Sequence, residues 1–216
     1  MAEIIGYGED AMTLSAIICE KQIIKFLNNM GVRNPQSIKR QLKTAVYFYR
    51  PSSGRGKKGY GEFDAIISTD KKIYFIESKW QKSSEVKKSK PIELREEQID
   101  RHKIFTEIIR MNLDKPNMSL ENILKEINAK NKKNIKKIIG SRLYNNLNYI
   151  LPKLLKNKYK IKDKDIVRNV ILIFVTDGEK IITKERRYKP TEDIEFNVKT
   201  IKYTPEETPG FIKIKF

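Results

Sequence analysis

The chain has 216 residues and a mass of 25.4 kDa, enough for one substantial core and too little for two independent full-sized domains. Its 45 Lys and Arg face 27 Asp and Glu, a formal net charge of +18 that exceeds what solubility requires and points to a polyanionic partner, nucleic acid first. With one Cys and one His, neither a disulfide framework nor a His/Cys zinc site can form within the chain, so a catalytic metal would rest on oxygen ligands, as magnesium or manganese does.

The longest apolar runs, such as Val170 to Val175, are strand-sized and far below the roughly 20 residues that span a bilayer. The N-terminal residues lack the basic-then-apolar order of a signal peptide. A soluble, cytoplasmic protein with no membrane partner is expected, associated with the nucleoid or acting in a virus-infected cell.

In chain order, residues 12 to 30 carry a helical pattern with Leu14, Ile17, Ile24 and Leu27 on one side and Gly31 as the stop signal. Glu20 falls inside the apolar sector of that wheel, where burying an unpaired carboxylate is costly. Residues 43 to 50 are rich in strand formers. The loop from Pro51 to Gly61 is basic and glycine-rich, and it lacks the Gly-Lys-Ser/Thr ending of a nucleotide cradle. Its Arg55, Lys57 and Lys58 are candidate contacts to a phosphate backbone.

Strands are predicted at about 62 to 68 and 72 to 79, joined as a hairpin by Thr69-Asp70-Lys71. A helix is predicted from Pro91 to Asn112, with Leu94, Phe105, Ile108 and Ile109 on its buried side. Gln98 and His102, four apart, project from that helix toward the sheet. Two or three further helices follow between 119 and 159. Between Lys125 and Lys164 the sequence holds thirteen Lys or Arg against two acids, Glu126 and Asp163. Within that patch Lys132, Lys133, Lys136 and Lys137 are candidate nucleic-acid contacts, the alternative being a solvated helical face.

Val167 to Thr176 is the most apolar strand and is expected at the centre of the sheet. Residues 196 to 203 and 211 to 216 alternate like half-exposed strands and suit a hairpin at a sheet edge or an oligomer interface. The expected organisation is a single domain over residues 1 to 216, with a Lys-rich helical elaboration at about 115 to 165 and C-terminal strands at about 194 to 216.

The chemistry concentrates in the hairpin. Alternation puts Glu62 and Asp64 on one face of the first strand, and Ile73, Phe75, Glu77 and Lys79 on one face of the next. Closing the hairpin near Asp70 brings Asp64 and Glu77 together across the ladder, where two carboxylates repel and each raises the other's pKa. A divalent cation removes that conflict, and an ammonium two residues from a metal-binding carboxylate can orient water and offset charge on a phosphate. An ordinary exposed strand face paired with lysines is the other use of such residues.

Asp64 followed by Glu77-Ser78-Lys79 resembles the PD-(D/E)xK, or restriction-endonuclease-like, nuclease superfamily, with archaeal Holliday-junction resolvases and RecB-type nucleases nearest. The resemblance covers residues 12 to 112, with 167 to 176 similar to the following core strand. It implies an α/β fold in which helices flank a mixed sheet, with the first acid on the second core strand and the acid-x-lysine on the third. It further implies that Asp64, Glu77 and the Ser78 backbone carbonyl bind Mg²⁺ or Mn²⁺, that Lys79 serves the attacking water, and that cleavage leaves a 5′-phosphate. A first-helix glutamate directed at the metal is similar to Glu20, and a glutamine followed four residues later by tyrosine is similar to Gln98 and His102. The sequence departs from the pattern in lacking a proline before Asp64, in carrying the extra acid Glu62, and in having histidine for that tyrosine. The expected activity is a metal-dependent DNA nuclease, an endonuclease acting as a homodimer on branched or structured DNA. An inactive nucleic-acid-binding module and an RNA-directed nuclease are the alternatives.

Overall fold

Strand-forming segments from both ends of the chain meet in one mixed sheet. The computed structural model describes residues 3–18, 34–51, 61–80, 92, 94–131, 142–156, 158, 166–176, 194–205 and 211–215. The elements are β1 (Glu3–Tyr7), α1 (Gly8–Ile18), α2 (Pro35–Lys43), β2 (Val46–Tyr49), β3 (Ala65–Ser68), β4 (Ile73–Trp80), α3 (Glu96–Asp114), α4 (Leu120–Asn131), α5 (Arg142–Leu155), β5 (Val167–Thr176), β6 (Phe196–Pro205) and β7 (Phe211–Lys215).

The strand order is β1-β7-β6-β5-β4-β3-β2. Strands β2, β3 and β4 run antiparallel in sequence, β4, β5 and β6 are parallel, and β7 returns antiparallel to β6 and to β1. Parallel strands need both faces covered, and β5 is buried from Val170 to Val175 as its unbroken apolar run requires. Its central position agrees with the sequence.

Period-two alternation sorts the strand residues between two layers. On one face Ala65, Ile67, Tyr74, Ile76, Val170, Leu172 and Phe174 pack with Met12, Ala16 and Ile17 of α1 and Ile38 of α2. On the other, Ile66, Ile73, Phe75 and Val167 pack with α3, α4 and α5, joined by Phe63, which precedes β3 and falls outside the alternation. A third cluster joins Ile92 and Leu94 to Ile171, Ile173, Val175, Ile194 and Phe196. Helices α4 and α5, read from sequence as an elaboration, put Ile123, Leu124, Ile127, Leu147 and Leu154 into the largest of these cores. Each fully buried aliphatic side chain is worth roughly 1.5–3 kcal/mol, which makes this helical face the larger stabilising layer.

Several boundaries differ from the sequence reading. Helix α1 starts at Gly8 and not at Met12, its first turn holding Asp10, where an acid favours a helix N-terminus; the continuation to residue 30 lies outside the described residues. The sequence reading assigned nothing to β1 or α2. For α2 the signal was present: Asn34 caps it, its Oδ1 accepting from Gln36 N at 2.9 Å and Ser37 N at 3.3 Å, with Pro35 in the first turn. Helix α3 begins at Glu96 instead of Pro91, because Ile92 and Leu94 are taken into the third cluster before the helix starts. The tail is not an edge hairpin: β6 lies inside the sheet, parallel to β5, and β7 is flanked by β6 and β1. Among the described residues no helix is long and apolar enough to cross a membrane.

Candidate active site

The hairpin and the N-terminal half of α3 build the site. Thr69 closes the turn, its N–H donating to Lys72 O at 2.9 Å and its Oγ1 accepting from Lys71 N and Lys72 N. The resulting register pairs Ala65 with Ile76, and Asp64 extends the ladder by donating its N–H to Ile76 O at 3.2 Å. Asp64 therefore lies beside Glu77, as the sequence predicted. Beyond it the chain turns away, and the Asp64 carboxylate takes over as ladder acceptor, Oδ2 receiving the Ser78 N–H at 2.6 Å.

Glu77, Ser78 and Lys79 are all buried on β4. Ser78 faces α1, where it shares a 2.7 Å hydrogen bond with the Thr13 hydroxyl. Glu77 and Lys79 face α3 by alternation. Trp80 is partly buried: its indole N–H donates to the Tyr203 hydroxyl and its ring packs against the α1-side core.

Glu77, only 1% exposed, is met by three donors from one helix. Gln98 Nε2 donates to its Oε2 at 3.1 Å, Arg101 Nη2 donates to Oε1, and His102 Nε2 lies 3.2 Å from Oε1. Gln98 has a second duty at the third position of α3, its Oε1 accepting the Arg95 N–H at 3.0 Å in a capping box, which fixes which end of the amide faces Glu77. His102 is fully buried, its Nδ1 2.7 Å from Asn169 Oδ1 on β5 and its ring edge-on to Phe63 and Phe196. Burial drives the Glu77 carboxyl toward the neutral acid, and the His102 hydrogen bond and the Arg101 guanidinium outweigh it, leaving the pKa below the usual value.

Gln98 and His102 project toward the sheet as expected, and they are joined there by Arg101 and Asn169, which the sequence reading did not single out. Arg101 had a signal, since it falls between Gln98 and Phe105 on the buried side of the α3 wheel. Asn169, a buried polar residue next to the apolar run of β5, had a weaker one. The carboxylate conflict that seemed to demand a cation is also answered differently, because Glu77 is compensated inside the chain. Glu62 is held by Arg50, whose Nε donates to Oε1 at 2.9 Å and whose other nitrogens reach both Glu62 and Asp10.

Glu20, Arg55, Lys57, Lys58, Lys132, Lys133, Lys136 and Lys137 lie outside the described residues. Of the remaining basic patch, Lys158 is not on the surface: it is buried, with Nζ donating to Ser68 Oγ at 2.7 Å. Lys125 is engaged by Glu121, and Lys153 sits over the Tyr149 ring.

The chain matches no protein-family model, no curated protein and no solved structure. Among the described residues no group of three or more His, Cys, Asp or Glu side chains is arranged to hold a metal. What the site offers is an oxygen-only pair, Asp64 and Glu77, next to each other in the ladder. Three nitrogen donors occupy three of the roughly four lone-pair positions of the Glu77 carboxylate, two on Oε1 and one on Oε2. Oxygen ligands are the donor type that a hard divalent cation takes.

Proposed function

We propose that this protein is a metal-dependent nuclease that hydrolyses phosphodiester bonds in DNA, built on a restriction-endonuclease-like core. The observation that carries the reading is the adjacency of Asp64 to Glu77 on neighbouring strands, with Lys79 on the Glu77 face and Gln98 orienting the Glu77 carboxylate. Support for the core comes from the order β2-β3-β4-β5, in which Asp64 immediately precedes the second of these strands and Glu77-Ser78-Lys79 lies in the C-terminal half of the third.

A divalent cation, Mg²⁺ or Mn²⁺, held by Asp64 and Glu77 would polarise the phosphodiester and acidify water beside it. The chain's own residues do the rest. Ser78, anchored to Thr13, and the ladder bond from Asp64 to Ile76 keep the two carboxylates in register. Lys79 supplies a buried ammonium to orient the attacking water and offset charge at phosphorus. Gln98 and His102 hold the Glu77 carboxylate in one rotamer, and the high positive charge recruits the polyanion. A homodimer acting on branched DNA, with Glu20 as a further ligand, completes the proposal.

One observation favours a second reading, a nucleic-acid-binding module without activity: both Glu77 oxygens already have partners within the chain. A panel of linear, nicked, branched and single-stranded DNAs and matched RNAs, with and without Mg²⁺ or Mn²⁺, separates the readings. Metal-stimulated scission of DNA that falls by at least about 100-fold in D64A, E77A and K79A supports the nuclease. Folded D64A or E77A cutting at the wild-type rate sinks it, and binding without scission establishes the module.

A further inference from the structure

Arg101 belongs to neither the acid-x-lysine pattern nor the Gln98 and His102 pair, yet it is built into the site from three sides. It is 3% exposed. Its Nη2 is bonded to Glu77 Oε1, and its guanidinium carbon lies 5.0 Å from the centre of the Phe63 ring. Its Nη1 fills the space beside Gly61, where a Cβ would come within 2.8 Å. Gly61 has φ +74°, so the backbone there suits glycine both in conformation and in leaving room for the guanidinium.

The two Glu77 oxygens are treated unequally. Oε1 receives Arg101 and His102, whereas Oε2 receives the neutral amide of Gln98. We propose that Arg101 is a positioning residue acting as a resident countercharge: it reserves Oε1, leaves Oε2 as the oxygen offered to a divalent cation, and holds that cation's affinity down so that it exchanges. The inference rests on the metal-dependent reading of the site. A guanidinium bonded to the same carboxylate as a divalent cation repels it, and the repulsion counts for more in a buried site than in water. Arginine suits the role because its planar group lies over the Phe63 ring while bonding Glu77.

The test uses the full chain and the variants R101Q and R101K, with Mn²⁺ affinity measured by titration calorimetry in the absence of nucleic acid. Melting in EDTA verifies folding, and cleavage rates are taken in parallel. R101Q is expected to bind Mn²⁺ at least ~10-fold more tightly and to cut more slowly, with R101K returning the affinity toward wild type. An arginine with a merely structural role would weaken both binding and cleavage. A folded R101Q whose Mn²⁺ affinity is unchanged or weaker overturns the countercharge and leaves the nuclease reading standing. Should R101Q not fold, G61A carries the same criterion, because its Cβ displaces Nη1: tighter Mn²⁺ binding supports the inference and unchanged affinity overturns it. A wild-type protein without Mn²⁺ affinity overturns the metal reading and this inference together.

Discussion

Glu77 combines near-complete burial with ionisation, and that combination has a measurable sign. Its carboxyl pKa is lowered on folding from the ordinary 4.5, burial being outweighed by His102 and Arg101. The native state then binds fewer protons than the unfolded state below that value, so the stability contributed by the ionised group is complete above about pH 4.5 and is lost as the pH falls through the folded value. In metal-free buffer the melting temperature of the wild type should drop more steeply on acidification below pH 4.5 than that of E77Q. At neutral pH E77Q should be less stable by about 3 kcal/mol, the usual cost of breaking a buried pair from one side. Parallel acid profiles for the two proteins would show that the Glu77 pocket contributes no linkage.

At the scale of elements, α3 is the part that joins stability to the site, since one helix delivers Gln98, Arg101 and His102 to Glu77 and Phe105 to the core. Phe105 meets Phe63 edge-on at 4.9 Å and Phe75 at 6.0 Å, and Phe63 in turn carries Arg101. F105A should cost about 3–5 kcal/mol in urea denaturation and should weaken cleavage even in buffer where the variant remains folded; a loss below about 1 kcal/mol would contradict the packing. The hairpin, β5 and the buried side of α3 were legible because Ile66-Ile67 and Ile73-Tyr74-Phe75-Ile76 are short apolar runs bounded by turn residues, as strands covered on both faces are, and period 3.6 is written in Phe105, Ile108 and Ile109. The start of α3 was not, since proline marks a favourable first turn without compelling one, and the third apolar cluster claimed Ile92 and Leu94 instead. Nor was the partner of Glu77: motif spacing records which residues meet a ligand, while the pairing of Arg101 with Glu77 depends on how α3 sits over the sheet. The direction of β6 escaped for a similar reason, because alternation in Phe196 to Tyr203 looks the same in a parallel and an antiparallel neighbour.

For the molecule as a whole, the charge of +18 gives the proposed DNA binding a salt signature. Affinity for a duplex should fall at least ~10-fold between about 50 and 200 mM salt, whatever the base sequence, and a flat response would remove nucleic acid as the partner. Not all of the positive charge serves that field. Lys158 ties the end of α5 to the hairpin through Ser68, whose hydroxyl also reaches Leu154 O at 2.9 Å, and burial lowers its amine from 10.5 to about 8, with Asp70 acting in the other direction. Between pH 8 and 10.5 the unfolded chain binds the additional proton, so stability should rise through that window as the cost of the buried ammonium disappears. K158M should show no such rise in equilibrium unfolding.

The pairing of Glu3 with Lys215, at the far end of the β1 to β7 ladder, sets an order on synthesis. Strand β1 leaves the ribosome ahead of every other strand described, and its partner β7 follows all of them. Until residues 211 to 215 emerge, β1 has unpaired N–H and C=O groups, the condition in which a strand recruits a neighbouring chain. Interrupted translation or proteolysis near residue 205 would therefore release a strand at the opposite end of the sequence, and self-association of nascent or clipped chains is the hazard this topology carries.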